Sequence, residues 1–530
     1  MVQATVGTGT PRKHCWECQR RRLVCDSVRP VCNRCRNNGI VCPGYGEKKP
    51  LRWLKPGRVT TRNRLRPKDG SSSRVDLIQD NSNDSSSPMI KDASDTGELQ
   101  RKAIELAFAN AAKSTGLDSI MRYDITCDEP ARVEASYIYG VELYNRLSPM
   151  TLLLEKNARI DLAPPAVTAF LPAPIKGLYI LLALGHRMYK LPRDTGKETR
   201  TRMRSAVDYW AYQVVRTLNE QIALESAQVS PGTMAAVIML LWEDQYRPST
   251  RWRFHYNGLM KMTELHGGVR KLWDTSHILR NGIVMMAALE TFANTTSPSH
   301  DQLSDLTHPR NLAFLQTIWE NVARSIYVGS ICPTALFTAI LKINHLRALS
   351  ITCLGPMDSI SSPSSTEDNI IYNNAQTIIR EIQAFFPSAY AERNGNERTR
   401  DKWFLVARIH QCAVVLYGIL SLQSVFFLPE TSALKRLVTM NYDQLLLDLK
   451  EGFKHGHLQN CLFWPLMVAG ACAARGTAFE RAFIADLLTD SVGDMGGAMP
   501  LLARATLMRF WASGKVRWDD CFDRPYIFIT

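Results

Sequence analysis

Residues 15–42 hold six cysteines, Cys15, Cys18, Cys25, Cys32, Cys35 and Cys42, spaced C-x2-C-x6-C-x6-C-x2-C-x6-C. The second triplet repeats the first after a shift of 17 positions. No other feature restricts this chain so tightly, because so many thiols in so short a segment need a chemical reason to be together. A Cys-x-x-Cys pair presents two sulfurs from one turn of backbone, and thiolate is a preferred ligand of tetrahedral Zn²⁺. Disulfides need an oxidising compartment, and residues 1–14 lack the apolar stretch of a secretory signal. A single four-thiolate site on Cys15, Cys18, Cys32 and Cys35 strands Cys25 and Cys42, since the next cysteine is Cys127. Burial as plain structural thiols fails because the segment is too short and too basic to enclose six. Two zinc ions sharing six cysteines remain. Eight coordination positions against six ligands require two cysteines to bridge. A segment of this size has no core of its own, so metal binding is its folding free energy.

Charge says what the segment meets. The 530 residues carry a net charge of +14, but the first 70 alone hold 17 Lys+Arg against 4 Asp+Glu. The other 460 are nearly neutral, with 47 against 46. Such a terminal basic patch suits a polyanion. A membrane surface is disfavoured, because the patch has no amphipathic apolar face or lipidation signal. No uninterrupted apolar run reaches the ~18 residues of a membrane span; the longest approach is 462–474. The expected partner is double-stranded DNA, with no membrane. The seven cysteines scattered singly between positions 127 and 521 are expected to be reduced core thiols of an intracellular protein.

The cysteine segment resembles the fungal Zn2Cys6 (C6 zinc-cluster) transcription factors. The resemblance rests on the spacings, the basic run Arg20, Arg21 and Arg22 after the second cysteine, Asp26 after the third, and Pro30 two residues before the fourth. It implies that Cys15 and Cys32 bridge the two ions, with Cys18 and Cys25 completing one site and Cys35 and Cys42 the other. Each Cys-x-x-Cys is expected to open a short helix. The first helix carries Gln19, Arg20, Arg21 and Arg22 and is the one basic enough to enter a major groove; the second carries Arg36, Asn37, Asn38 and Gly39. The resemblance places base contacts on Arg21 and Arg22 and implies CGG-like half-sites, for which the planar arginine fork is suited to guanine O6 and N7. Two positions depart from the family pattern. Gln19 stands where Arg or Lys is usual, and Val24 where a second basic residue precedes the third cysteine. Both departures are expected to lower affinity through lost backbone contacts without changing which bases are read.

The DNA-binding set predicted from the sequence is Lys13, Gln19, Arg20, Arg21, Arg22, Arg52, Arg58, Arg62 and Arg64. The last four lie in a basic, Pro/Gly-rich stretch, 43–68, that extends the phosphate footprint or serves nuclear import. Many members of the resembled family form homodimers through a coiled coil here. Leu51, Leu54, Val59 and Leu65 keep no heptad and Pro56 interrupts them, so a homodimer has no readable coiled coil behind it. Residues 69–97 are rich in Ser, Asp and Asn and read as a disordered spacer.

From residue 98 onward apolar side chains recur every three to four positions and alternating strand patterns are scarce. The domain expectations are a disordered 1–14, a zinc cluster at 15–42, a basic then acidic linker at 43–97, and a large all-α helical domain at 98–530. A loop or disordered insertion is expected over 355–369. Two stretches resemble the regulatory domain of fungal zinc-cluster factors: one with Trp252, His255, Gly258, Gly267 and Gly268, the other with Trp464, Pro465, Leu466 and Gly470. No phosphate-cradling loop, nucleophile elbow or His-Glu-x-x-His motif is present, so no catalytic residues and no enzyme are expected. His255 and His266 are too far apart on one helix to share a metal. Met260, Met262, Met285 and Met286 read as core, with a small-molecule pocket as the alternative. The sequence thus predicts a small Zn2Cys6 binuclear cluster plus a large all-α domain, forming a nuclear, sequence-specific transcription regulator of RNA polymerase II genes that works with transcription machinery or co-regulators. The alternative is a non-enzymatic adaptor binding nucleic acid without sequence choice. The acidic and aromatic C-terminus, 518–530, reads either as an activating tail or as the last packed segment.

Overall fold

Thiols, not apolar side chains, close the first part of the chain. The computed structural model describes residues 14–21, 23–29, 31–38 and 42, Ala135, and 171–528 apart from 193, 225–229, 248–250, 324–331 and 354–365. The chain forms two units, Met1–Pro88 and Met89–Thr530. In the first, two short helices pack together, α1 (Trp16–Arg21) and α2 (Asn33–Asn37). Each begins at a Cys-x-x-Cys, as expected. The buried residues between them are Cys15, Cys18, Cys25, Cys32 and Cys35, with Cys42 partly buried against them.

The second unit is helical and without strands among the described residues. Its first half runs α3 (Ala173–Tyr189), α4 (Lys197–Ile222), α5 (Pro231–Tyr246), α6 (Trp252–Leu265), α7 (Val269–Thr275), α8 (Arg280–Thr295) and α9 (Leu312–Ala323). The second half runs α10 (Thr334–Cys353), α11 (Thr366–Gln383), α12 (Pro387–Asn394), α13 (Arg400–Ser424), α14 (Ser432–Gly452), α15 (Gln459–Cys472), α16 (Ala478–Met495), α17 (Met499–Ala512) and α18 (Trp518–Cys521). Local chemistry sets many of these ends. Ser230 caps α5, its hydroxyl accepting from Thr233 N at 3.1 Å just ahead of Pro231. Thr477 and Glu480 close a capping box at α16. Helix α11 ends at Gln383, ahead of Pro387, which disfavours helical backbone in the residue before it. The predicted insertion is shorter than expected at its far end, since α11 already begins at Thr366; residues 354–365 lie outside the described residues. So do the helices predicted over 98–147, Ala135 excepted.

Helix α13 is the axis of the second half, in contact with α10, α11, α12, α14, α15 and α18. It is long and apolar enough to cross a membrane, but its apolar window is 89% buried within the protein. Sequence inspection passed over it because Arg408, His410 and Gln411 interrupt the run. The polar breaks find internal uses: Arg408 forks onto Asp448 of α14 at 2.6 and 2.7 Å, and Gln411 donates to the carbonyls of Ile382 and Phe385.

A fully buried arginine joins the two halves. Arg347 of α10 donates to the carbonyls of Asn294 and Ser297 at 2.8 Å each, to Tyr417 Oη at 3.1 Å, and to Asp519 Oδ1 at 2.6 Å. The last carbonyls of α8 have no partners within their own helix and mark its negative end, so a cation there satisfies both needs. Around it, Trp464 Nε1 donates to Thr295 Oγ1 at 2.7 Å and Trp518 Nε1 to the Thr295 carbonyl at 2.8 Å. The C-terminal segment is therefore packed: Trp518, Cys521, Phe522, Tyr526, Ile527 and Phe528 are buried, and Tyr526 exchanges hydrogen bonds with Thr296. Its acids are engaged too, Asp519 by Arg347 and Asp523 by Arg509 at 2.7 Å.

One buried carboxyl works against the fold. Burial pushes Glu243 on α5 up to about 7, although Arg247 pairs with it one turn later. A carboxyl whose folded value lies above its unfolded one costs nothing at low pH and costs stability as pH rises through the interval, here from about 4.5 to about 7. Glu243→Gln is therefore expected to leave the melting temperature unchanged at pH 3.5 and to raise it at pH 8, by up to about 3 kcal/mol of stability. Thermal melts of both proteins at the two pH values check this.

Candidate zinc centre

Four sulfurs, those of Cys15, Cys18, Cys32 and Cys35, lie within 4.8 Å of one another. Cys15 Sγ stands 3.6 Å from Cys32 Sγ and 3.8 Å from Cys35 Sγ, and Cys18 Sγ is 3.7 Å from Cys32 Sγ. A Zn–S bond of about 2.3 Å in a tetrahedron sets an edge of about 3.8 Å between sulfurs. The observed spacings match that edge. Cys25 Sγ lies within 4.8 Å of Cys32 Sγ and accepts from Cys15 N at 3.5 Å. Each of the four sulfurs named first is thus approached by sulfurs of both triplets.

The backbone prepares two of these sulfurs for charge. Cys18 N donates to Cys15 Sγ at 3.4 Å, and Cys35 N to Cys32 Sγ at 3.3 Å. Each N–H is one of the otherwise unpaired donors of a helix start. Asp26, known from the sequence only as a pattern match, does similar work at the second helix, its Oδ2 accepting from Asn33 N at 3.0 Å. Even so, burial first, and then the neighbouring thiols, push Cys15, Cys18 and Cys35 up to about 12. Such thiols ionise at neutral pH only beside a cation, which is how a metal inverts the local proton balance. The donor set fits zinc.

Of the predicted DNA-binding residues, the structure describes three on α1. Gln19 and Arg21 are exposed, and Arg20 lies between them on the helix. Arg21 Nε pairs with Glu17 Oε1 at 2.7 Å, one turn back. The pair has the i, i+4 spacing of a local helix ion pair and is readable in the sequence, where it was not anticipated. Val24, the second departure from the family pattern, is 76% exposed. Lys13, Arg22, Arg52, Arg58, Arg62 and Arg64 lie outside the described residues.

The regulatory-type stretches have structural reasons for their marked residues. Trp252 and Tyr256 are buried, and His255 Nδ1 meets Asp244 Oδ2 at 2.5 Å across the α5–α6 packing. Gly267 and Gly268 have φ of 90° and 95°, where only glycine is unstrained, and end α6 by donating to the Glu264 and Thr263 carbonyls. Gly470 lets α17 approach α15: a Cβ there would meet Leu507 at 2.3 Å. The four methionines are core, Met260 and Met286 buried and Met262 and Met285 packed against the same cluster. Among the described residues, His, Cys, Asp and Glu donors gather in threes only at the cysteine cluster. Glu290, buried beside Tyr256, has its carboxylate filled by Tyr256, Thr307 and the Leu306 and Thr307 amides.

Comparisons with known proteins follow the same division. Residues 13–52 match the fungal Zn(2)-Cys(6) binuclear cluster domain, and residues 156–528 match the fungal specific transcription factor domain. The chain is 27% identical over 99% of its length to the phomenoic acid biosynthesis cluster-specific transcriptional regulator of Leptosphaeria maculans, covering 91% of that protein. Over 42 residues, 8% of the chain and 4% of the relative, it is 45% identical to the arginine metabolism regulation protein II of Saccharomyces cerevisiae. No solved structure matches.

Because these thiols are protonated when metal-free, zinc must displace protons to bind. Zinc titration of metal-free chain in weakly buffered solution at neutral pH is expected to release protons along with uptake of two ions, and apparent zinc affinity is expected to fall as pH falls. Uptake without proton release would contradict it.

Proposed function

From a chain that belongs to the fungal specific transcription factor family and carries its Zn(2)-Cys(6) binuclear cluster, we propose a regulator that reads CGG-like half-sites at RNA polymerase II genes. Members of that family are zinc-dependent transcription regulators that bind two zinc ions and DNA, act with the transcription machinery and are nuclear in type. Cys15 and Cys32 bridge the ions; Cys18 and Cys25 close one site, Cys35 and Cys42 the other. What supports a shared thiolate cage is the gathering of the Cys15, Cys18, Cys32 and Cys35 sulfurs within 4.8 Å of one another, with Cys25 within 4.8 Å of Cys32; the choice of Cys15 and Cys32 as bridges follows the family resemblance.

Zinc supplies the cross-link, and the chain's own residues do the reading. With Cys15 and Cys18 both held, α1 is fixed as a short rod that carries Arg20 and Arg21 and leads directly into Arg22 in the sequence. Arg21 and Arg22 address guanine, and Arg21 exchanges Glu17 for the base on binding, which sharpens choice because only a well-placed acceptor replaces a carboxylate. Lys13, Gln19, Arg20, Arg52, Arg58, Arg62 and Arg64 meet sugar and phosphate and set register. The domain limits we propose are 15–42 for the cluster, 43–97 for the linker and 98–530 for the helical regulatory domain, after a disordered 1–14. The likeness to a cluster-specific regulator along nearly the whole chain supports a target set within one biosynthetic gene cluster.

A selection from random duplex DNA with the zinc-loaded full chain is expected to enrich a CGG-like triplet, single for a monomer and paired for a homodimer. Arg21→Ala and Arg22→Ala are expected to lose about 1–3 kcal/mol each on the selected site and far less on unrelated DNA. An equal drop on every sequence would leave a non-specific nucleic-acid adaptor.

A further inference from the structure

Helix α14 turns apolar residues to solvent along one line. Ala433, Met440 and Leu447 follow at intervals of seven, close to two helical turns, and so share a face. All three are exposed, Met440 at 69% and Leu447 at 65%. Single exposed apolar side chains are ordinary on a protein surface, whereas a row of them on one helix marks a face that something covers. The other side of α14 packs inward, with Tyr442, Leu445, Asp448 and Leu449 buried.

The charges beside the row say what covers it. Arg436, Asp443 and Lys450 form a second exposed line, also at intervals of seven, with signs plus, minus and plus. None of the three joins an ion pair among the described residues. A second α14 laid antiparallel on the first, with a two-fold axis at Met440, matches both lines. By size, Ala433 faces the second copy's Leu447 and Met440 faces Met440. By sign, Arg436 faces the second copy's Asp443, and Lys450 faces Glu430, an exposed carboxylate just ahead of the helix that lies 3.2 Å from Lys435 of its own chain. A parallel pair fails, because each charge then meets its own copy. Self-complementarity of this kind is what a closed two-fold dimer requires of one patch. We propose that two copies of the chain pair through antiparallel α14 helices about a two-fold axis at Met440. One helix face is small for a specific interface, so the pairing is reversible. It needs neither DNA nor the half-sites proposed above.

Sedimentation equilibrium of the zinc-loaded full chain without DNA tests this. A monomer–dimer equilibrium in the micromolar range is expected. Met440→Lys, which sets two ammonium groups against each other at the axis, is expected to weaken it at least tenfold. The melting temperature of the dilute chain is expected to stay unchanged, because that side chain is exposed in the monomer. Arg436→Asp and Asp443→Arg are each expected to self-associate at least tenfold more weakly, since like charges then face each other. Mixed in equal amounts, the two variants are expected to form a one-to-one heterodimer, because every Asp then meets an Arg. If either charge variant melts early, Met440→Lys decides alone. A chain that stays monomeric throughout, pairing unchanged by Met440→Lys, or stably folded charge variants that pair alone or fail to pair when mixed would overturn the proposal.

Discussion

Everything the first unit does depends on the attraction between thiolate sulfur and zinc. The segment has no apolar core to hold α1 and α2 together; sulfur atoms occupy the place where one would be. Their proximity is a cost without metal, since burial drives the thiols toward the protonated state. Two cations reverse the sign of that cost, and backbone N–H groups at the helix starts take up part of the remaining negative charge. The arginines of α1 inherit their direction from this arrangement. A basic peptide without the cluster has the same charge but no fixed axis, and so has no means of preferring one base edge over another.

The second unit is held by more ordinary physics: apolar helices around α13, with many of the polar groups that stray into the core paired off. Arg347 illustrates how the pairing also serves connection, because one guanidinium ends α8, touches α13 and secures the C-terminal segment. Two tryptophans converge on Thr295 from α15 and α18.

The cluster was legible because its chemistry is written in spacing, which no packing accident alters. The thiol positions, the two helix starts and the basic face of α1 all follow from counting residues between cysteines. The all-α character of the large domain was legible from the three-to-four-residue recurrence of apolar side chains, as in α5 and α8. What sequence could not supply was pairing across distance. Nothing local joins Arg347 to Asp519, 172 positions on, so the acidic C-terminus stayed ambiguous between a free tail and a packed one. The Glu17–Arg21 pair was local and was passed over because attention went to positive charge alone. Gly470 had a family likeness but no visible reason until Leu507 was found against it.

The most direct test of the account is DNA binding by the full chain before and after chelation, with helicity followed in the same samples. The account predicts that removing zinc abolishes preference for the selected site while the helical signal of the large unit persists, and that restoring two zinc ions per chain returns the preference. Retention of site preference by metal-free chain would contradict it, because the reading helix would then be held by something other than the thiolate cage.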